Sequence, residues 1–147
     1  MNGSRLKTAV EKYVVLPARE LDPKTGLLCD VLRAGNRELW IKGVAETEFF
    51  KEMTPKGLTI DKEGYTKLHV AGKTELEEFR VNGFFQKNSC IIAVLTNMSN
   101  EIVFGTLNEV TRRFGKDTKY TTWEFIPLDK TTGQISIGGT LFDYEIR

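Results

Sequence analysis

Histidine, cysteine and long apolar runs are scarce in this chain, and each scarcity closes off a class of function. His69 is the only histidine, so there is no His-x-x-x-His pair and no Cys/His cluster of the kind that holds zinc. The two cysteines, Cys29 and Cys90, lie far apart and inside apolar runs, which is neither a metal spacing nor a disulfide framework. Both read as small buried hydrophobes, in surroundings that disfavour the thiolate a Cys-His nucleophile pair would need. The most apolar run, Cys90 to Leu95, is far too short to cross a bilayer, and residues 1–7 lack the apolar stretch of a signal peptide. The expected compartment is the reducing cytoplasm, or a virion if the chain is a particle subunit, with no membrane partner.

An excess of one charge is lacking too. The 21 Lys and Arg against 20 Asp and Glu leave a net charge of +1, so no global field draws the protein to nucleic acid, and any such binding must come from a local patch. No glycine run is spaced as G-x-G-x-x-G or followed by Lys-Ser/Thr, which argues against nucleotide-dependent chemistry. Neither a metal nor another cofactor is expected. What is present, 40% hydrophobic and 28% charged residues, is the balance of an ordered globular chain, and its length fits one domain over residues 1–147.

Leu6, Ala9, Val10, Tyr13 and Val14 recur at helical spacing behind Ser4, and Pro17 ends the pattern, predicting an amphipathic N-terminal helix. Leu27 to Arg33 and Arg37 to Lys42 flank Gly35 as a β-hairpin. Ala45 to Met53 reads as a short helix broken by Thr54-Pro55-Lys56-Gly57. Leu58 to Ile60 and Tyr65 to Val70 form a second hairpin around Asp61 to Gly64, with His69 facing solvent. Thr74-x-x-Glu77 resembles a capping box opening a short helix through Phe79, preferred over a hairpin turn at Asn82-Gly83. Cys90 to Thr96 and Glu101 to Leu107 pair about Asn97 to Asn100, Asn108 to Phe114 is a helical or irregular crossing, and Tyr120 to Phe125 pairs with Leu141 to Ile146. The fold expected is β-rich α+β: an antiparallel β-sandwich or partly open barrel of hairpins, with an N-terminal helix and one or two short helices.

One phrase is nearly repeated, LDPKTGL at Leu21 to Leu27 and LDKTTGQ at Leu128 to Gln134. The flanking sequences do not repeat, and neither copy has the alternating acids of a calcium loop. Both read as turns, Asp starting each and Gly supplying a positive φ, the second joining the terminal strand pair with Gly138-Gly139 as a bulge in the last strand.

The carboxylate pairs Glu77-Glu78 and Asp143/Glu145 are weak candidates for acid/base chemistry, because helix-terminal charge and a polar strand face explain them as well. The basic and aromatic stretch Arg112, Arg113, Lys116, Lys119 and Tyr120 suits a single-stranded nucleic-acid binder on an OB-like barrel. No convergent catalytic set emerges, so the leading expectation is a non-enzymatic protein-interaction or self-assembly module, a homo-oligomer or a subunit of a larger particle such as a viral tail or capsid. Its candidate contacts are the N-terminal helix, the loop from Phe50 to Lys56, and the strand ending at Arg147, taken as a sheet edge. Nucleic-acid binding and carboxylate enzymology are the alternatives.

Overall fold

The computed structural model describes residues 12–42, 51–52, 54–70, 73–87, 90–114, 118–126, 128, 130–137 and 140–147. Eleven strands follow one another: β1 (Val15–Leu21), β2 (Leu28–Ala34), β3 (Arg37–Lys42), β4 (Lys51–Glu52), β5 (Tyr65–Val70), β6 (Leu76–Lys87), β7 (Cys90–Thr96), β8 (Ile102–Phe114), β9 (Thr118–Ile126), β10 (Thr132–Ile137) and β11 (Thr140–Ile146). The described residues contain no helix. The expected N-terminal helix falls mostly on residues 1–11 and so outside them, while residues 12–14 lead without regular structure into β1.

β5 to β9 close into a barrel. Each pairs antiparallel with the next, and β5 meets β9 in parallel through His69 opposite Glu124 and Val70 opposite Phe125. An odd number of up-and-down strands leaves the first and last running the same way, so the closing pair has to be parallel. Strand order therefore follows chain order, a meander rather than the Greek key of an OB-like barrel. Leu68, Phe79, Val81, Phe84, Ala93, Leu95 and Leu107 fill it, with Leu58, Ile60 and Val103 packed against them.

Apart from β4, which pairs with β6, the remaining strands, in the order β1-β2-β3-β11-β10, form an antiparallel sheet that lies against the barrel. Their joint core takes Leu32, Ala34, Leu39, Ile41, Ile135 and Tyr144 from the sheet and Phe85, Cys90, Ile92, Val94, Ile102 and Phe104 from the barrel. β7 serves both cores by strict alternation: Ala93 and Leu95 point into the barrel, Cys90, Ile92 and Val94 toward the sheet. β6 cannot do this with an unbroken period, because Phe79, Val81 and Phe84 face inward while Phe85 faces the sheet. A bulge resolves it: Val81 pairs with Leu95 and Gly83 with Val94, leaving Asn82 as the extra residue.

Several expectations are corrected here. Thr74 to Phe79 does not open a helix, because cross-strand pairing of Leu76 to Arg80 with Tyr65 to His69 overrides the capping signal, and Asn82-Gly83 is a bulge rather than a turn. Of the helix expected over Ala45 to Met53, residues 45–50 and 53 lie outside the described residues, and Lys51–Glu52 form β4, which pairs with Phe85 and Gln86. Leu58 to Ile60 is not a strand, although Thr66 Oγ1 donates to Thr59 O at 2.8 Å beside the expected Asp61–Gly64 turn. Asn108 to Phe114 is neither helical nor irregular but continues β8.

The two similar phrases part company. Asp22 O accepts from Gly26 N at 2.7 Å and Gly26 has φ +72°, so the first copy is a hairpin turn between β1 and β2. The second is no hairpin turn: Thr132 and Gly133 already belong to β10, and β9 and β11 lie in different sheets. Ile137 pairs with Thr140, and Gly138-Gly139, expected as a bulge, lie outside the described residues.

Candidate interaction surfaces

Between the sheet and the barrel, Asp30 is fully buried and meets two cations. Lys87 Nζ from β6 lies 2.9 Å from its Oδ2, and Arg19 Nε from β1 lies 2.8 Å from its Oδ1. The position follows from alternation, since Asp30 shares a face with Leu32 and Ala34, and Lys87 with Phe85. With Asp30 and Lys87 buried and Arg19 half-buried beside them, the three groups hold sheet to barrel.

The opposite face of the sheet carries a charge lattice around Trp40. Arg33 grips Glu20 through both terminal nitrogens and donates from Nε to Glu38 at 2.7 Å, while Trp40 Nε1 donates to the other Glu38 oxygen at 2.9 Å. Arg147 lies over the Trp40 ring at 4.3 Å from its centroid and donates to Asp22 at 2.7 Å and Glu145 at 2.8 Å. The guanidinium beside each carboxylate holds Glu20, Asp22 and Glu145 below their ordinary values; for Glu38 the Trp40 N–H acts first and Arg33 second. All four of these carboxylates move down, toward permanent charge and away from proton donation. Glu77 pairs with Lys73, and Asp143 accepts from Gln134 at 3.1 Å, so neither expected acidic pair converges on a cleft. The described residues contain no cluster of metal-ligating side chains.

Cys29 and Cys90 are buried thiols in no disulfide, and burial pushes the Cys90 thiol up to about 11. His69 is half-buried on β5. Asn82 is buried; its Nδ2 donates to Thr96 Oγ1 at 2.8 Å and its Oδ1 accepts from Tyr13 N at 2.9 Å, tying the segment before β1 to the bulge.

Three features reach outward. Among the described residues β8 pairs with β7 only through Ile102–Leu107, and β9 meets β5 only at Glu124 and Phe125, so residues 108–114 and 118–123 continue as a two-stranded ribbon. At 3.4 Å per residue it extends about 20 Å. Its register sets Arg112 opposite Tyr120 and Arg113 opposite Lys119, so the two pairs occupy opposite faces of the ribbon. Lys116 lies outside the described residues, as do Phe50 and Met53 of the expected loop; Lys56 is exposed in a turn where Leu58 N donates to Pro55 O.

The other two features are the edges of the sheet, β1 and β10. The strand ending at Arg147 is not an edge, because β11 lies between β3 and β10 and Arg147 exchanges both backbone hydrogen bonds with Glu38. Its side chain is committed within the chain. β1 carries Pro17, Arg19 and Glu20, residues that block or charge an edge, and it exposes Leu16 and Leu21. β10, Thr-Gly-Gln-Ile-Ser-Ile, has neither charge nor proline. The alternation of Gln134 and Ser136 with Ile135 and Ile137 was the available signal for this strand, and the resemblance of its start to a turn masked it. Compared with protein-family models, curated proteins and solved structures, the chain matches none.

Proposed function

We propose that the protein is a non-enzymatic self-assembly module that associates by β-strand addition, as a subunit of a larger protein particle. One observation carries the reading: the two edges of the same sheet are treated oppositely. β1 is guarded by a proline and two charges, whereas β10 carries no charge along its six residues and has no second neighbour among the described strands. Free N–H and C=O rows are templates for another strand, and edges without that use are normally charged, kinked or covered. Membership of a viral tail or capsid is the particle class that composition and strand architecture suit, and it rests on nothing more specific.

The test is the solution mass of the untagged protein by light scattering across a concentration series, with absorbance read at nucleic-acid wavelengths. Discrete oligomers or growing polymers support the reading; a monomer at every concentration overturns it.

A second reading draws on the β8–β9 ribbon, which carries Arg112, Arg113, Lys119 and Tyr120 clear of the barrel. A basic ribbon with aromatic positions suits single-stranded nucleic acid, whose phosphates and bases it would engage together. Neutralising Arg112 and Arg113 together then weakens oligonucleotide binding and flattens its salt dependence. Unchanged affinity in that double variant removes this reading.

A further inference from the structure

We infer that β10 pairs with β10 of a second copy, antiparallel about a twofold axis through Gln134, so that one sheet runs across both copies. This deepens the self-assembly reading and rests on it. Ile146 N donates to Thr131 O at 2.6 Å, in line with the register of Thr132–Ile137 against Thr140–Glu145. Backbone groups of alternate residues turn to opposite sides of a strand, so Gly133, Ile135 and Ile137 bond to β11, while Thr132, Gln134 and Ser136 turn theirs to the open edge.

A strand that meets itself through a twofold axis forms hydrogen bonds only where open-edge residues face open-edge residues. Centred on Gln134, the register sets Thr132 opposite Ser136 of the second copy, Gln134 opposite Gln134, and Ser136 opposite Thr132. Every open group from 132 to 136 is then used. The faces agree as well. Hydroxyl and amide positions meet on the outer side, and Ile135 of the second copy meets Gly133 on the barrel side. Gly133 lies under the Tyr144 ring, so closely that a Cβ there would come within 2.6 Å of it, and the incoming Ile135 position falls beside that ring.

A second copy is favoured as the occupant because the strand matches its own reversed sequence: one register uses every open backbone group from 132 to 136, sets polar positions against polar ones and Gly133 against Ile135, and leaves no place in the seam for an unpaired charge. β10 contains none. β1 fails the same test, since Pro17 lacks an N–H and the strand carries Arg19 and Glu20.

The experiment compares wild type with Gln134→Lys, Gln134→Glu and Gln134→Pro by sedimentation velocity over a concentration series. Thermal melts check the fold, position 134 being exposed with its N–H off the β11 ladder. The expected result is a mass doubling in wild type that Gln134→Pro abolishes. Gln134→Lys and Gln134→Glu each weaken it alone and restore it when mixed, because the axis brings the two side chains together. If wild type doubles and all four samples behave alike, this pairing is overturned while self-assembly stands. If wild type never doubles, the pairing and the reading beneath it both fall.

Discussion

Asp30 on the sheet and Lys87 on the barrel meet at 2.9 Å with both side chains withdrawn from water. Removing the carboxylate that Lys87 and Arg19 share leaves uncompensated charge at the layer interface, a loss that typically runs to about 3–5 kcal/mol. Asp30→Ala is therefore expected to destabilise the protein on that scale. Lys87→Met, which leaves Asp30 paired with Arg19, is expected to do less damage. Urea midpoints with unchanged slopes measure both, and equal losses would show that the Arg19 contact contributes nothing.

Asn82 supports the bulge from which both cores depend. Its amide bridges Thr96 Oγ1 and Tyr13 N, so Asn82→Ala leaves buried polar groups short of partners, at about 1–3 kcal/mol. Deleting residue 82 is a sharper test. Without the extra residue, Val81 and Gly83 become consecutive opposite Leu95 and Val94, so Phe84 and Phe85 keep their faces, and the expected outcome is a folded protein that loses no more than Asn82→Ala does. A deletion variant that failed to fold would mean that the bulge itself, and not only the Asn82 amide, is required to shape β6.

How much of this was legible in the sequence divides along one line. The hairpins of β2 with β3 and β7 with β8 were readable because apolar runs and turn residues lie next to each other in the chain. The β5–β9 closure, the sharing of β7 between two cores and the placement of β11 beside β3 are non-local, and nothing in their sequence names a partner. β6 misled for a physical reason: Thr74 to Glu77 is locally consistent with a helix cap, and only pairing on both sides makes it a strand. Of the interaction surface, the basic ribbon residues were visible as a composition, whereas Arg147 as a clasp on Trp40 and β10 as the unguarded edge required the topology.

The lattice around Trp40 predicts acid sensitivity. Glu20, Glu38 and Glu145 have pKa values below their ordinary 4.5, and Asp22 below 3.8. A group lowered in the folded state contributes stability that is complete above its unfolded pKa and is lost as pH falls through the folded one. Melting temperature should thus be flat from neutral pH to about 5 and fall below it. Arg147→Gln releases Asp22 and Glu145, so the variant should melt lower at neutral pH yet lose less on acidification. Parallel curves for variant and wild type would exclude the clasp.

Cys90 predicts the opposite limb. Its thiol is pushed from 9.0 to about 11 by burial beneath the sheet. The unfolded chain therefore releases this proton first, and stability declines as pH rises from about 9 toward 11. Two pKa units correspond to about 2 kcal/mol after allowing for incomplete burial. Cys90→Ala should remove that decline at the expense of a modest loss at every pH from the smaller side chain. The same burial makes the native thiol slow toward iodoacetamide at pH 8 and reactive only when the barrel opens, so labelling should track unfolding across a urea series. Rapid labelling of Cys90 in the native state, with Cys29 replaced by Ala, would show that the joint core is open at β7 rather than sealed.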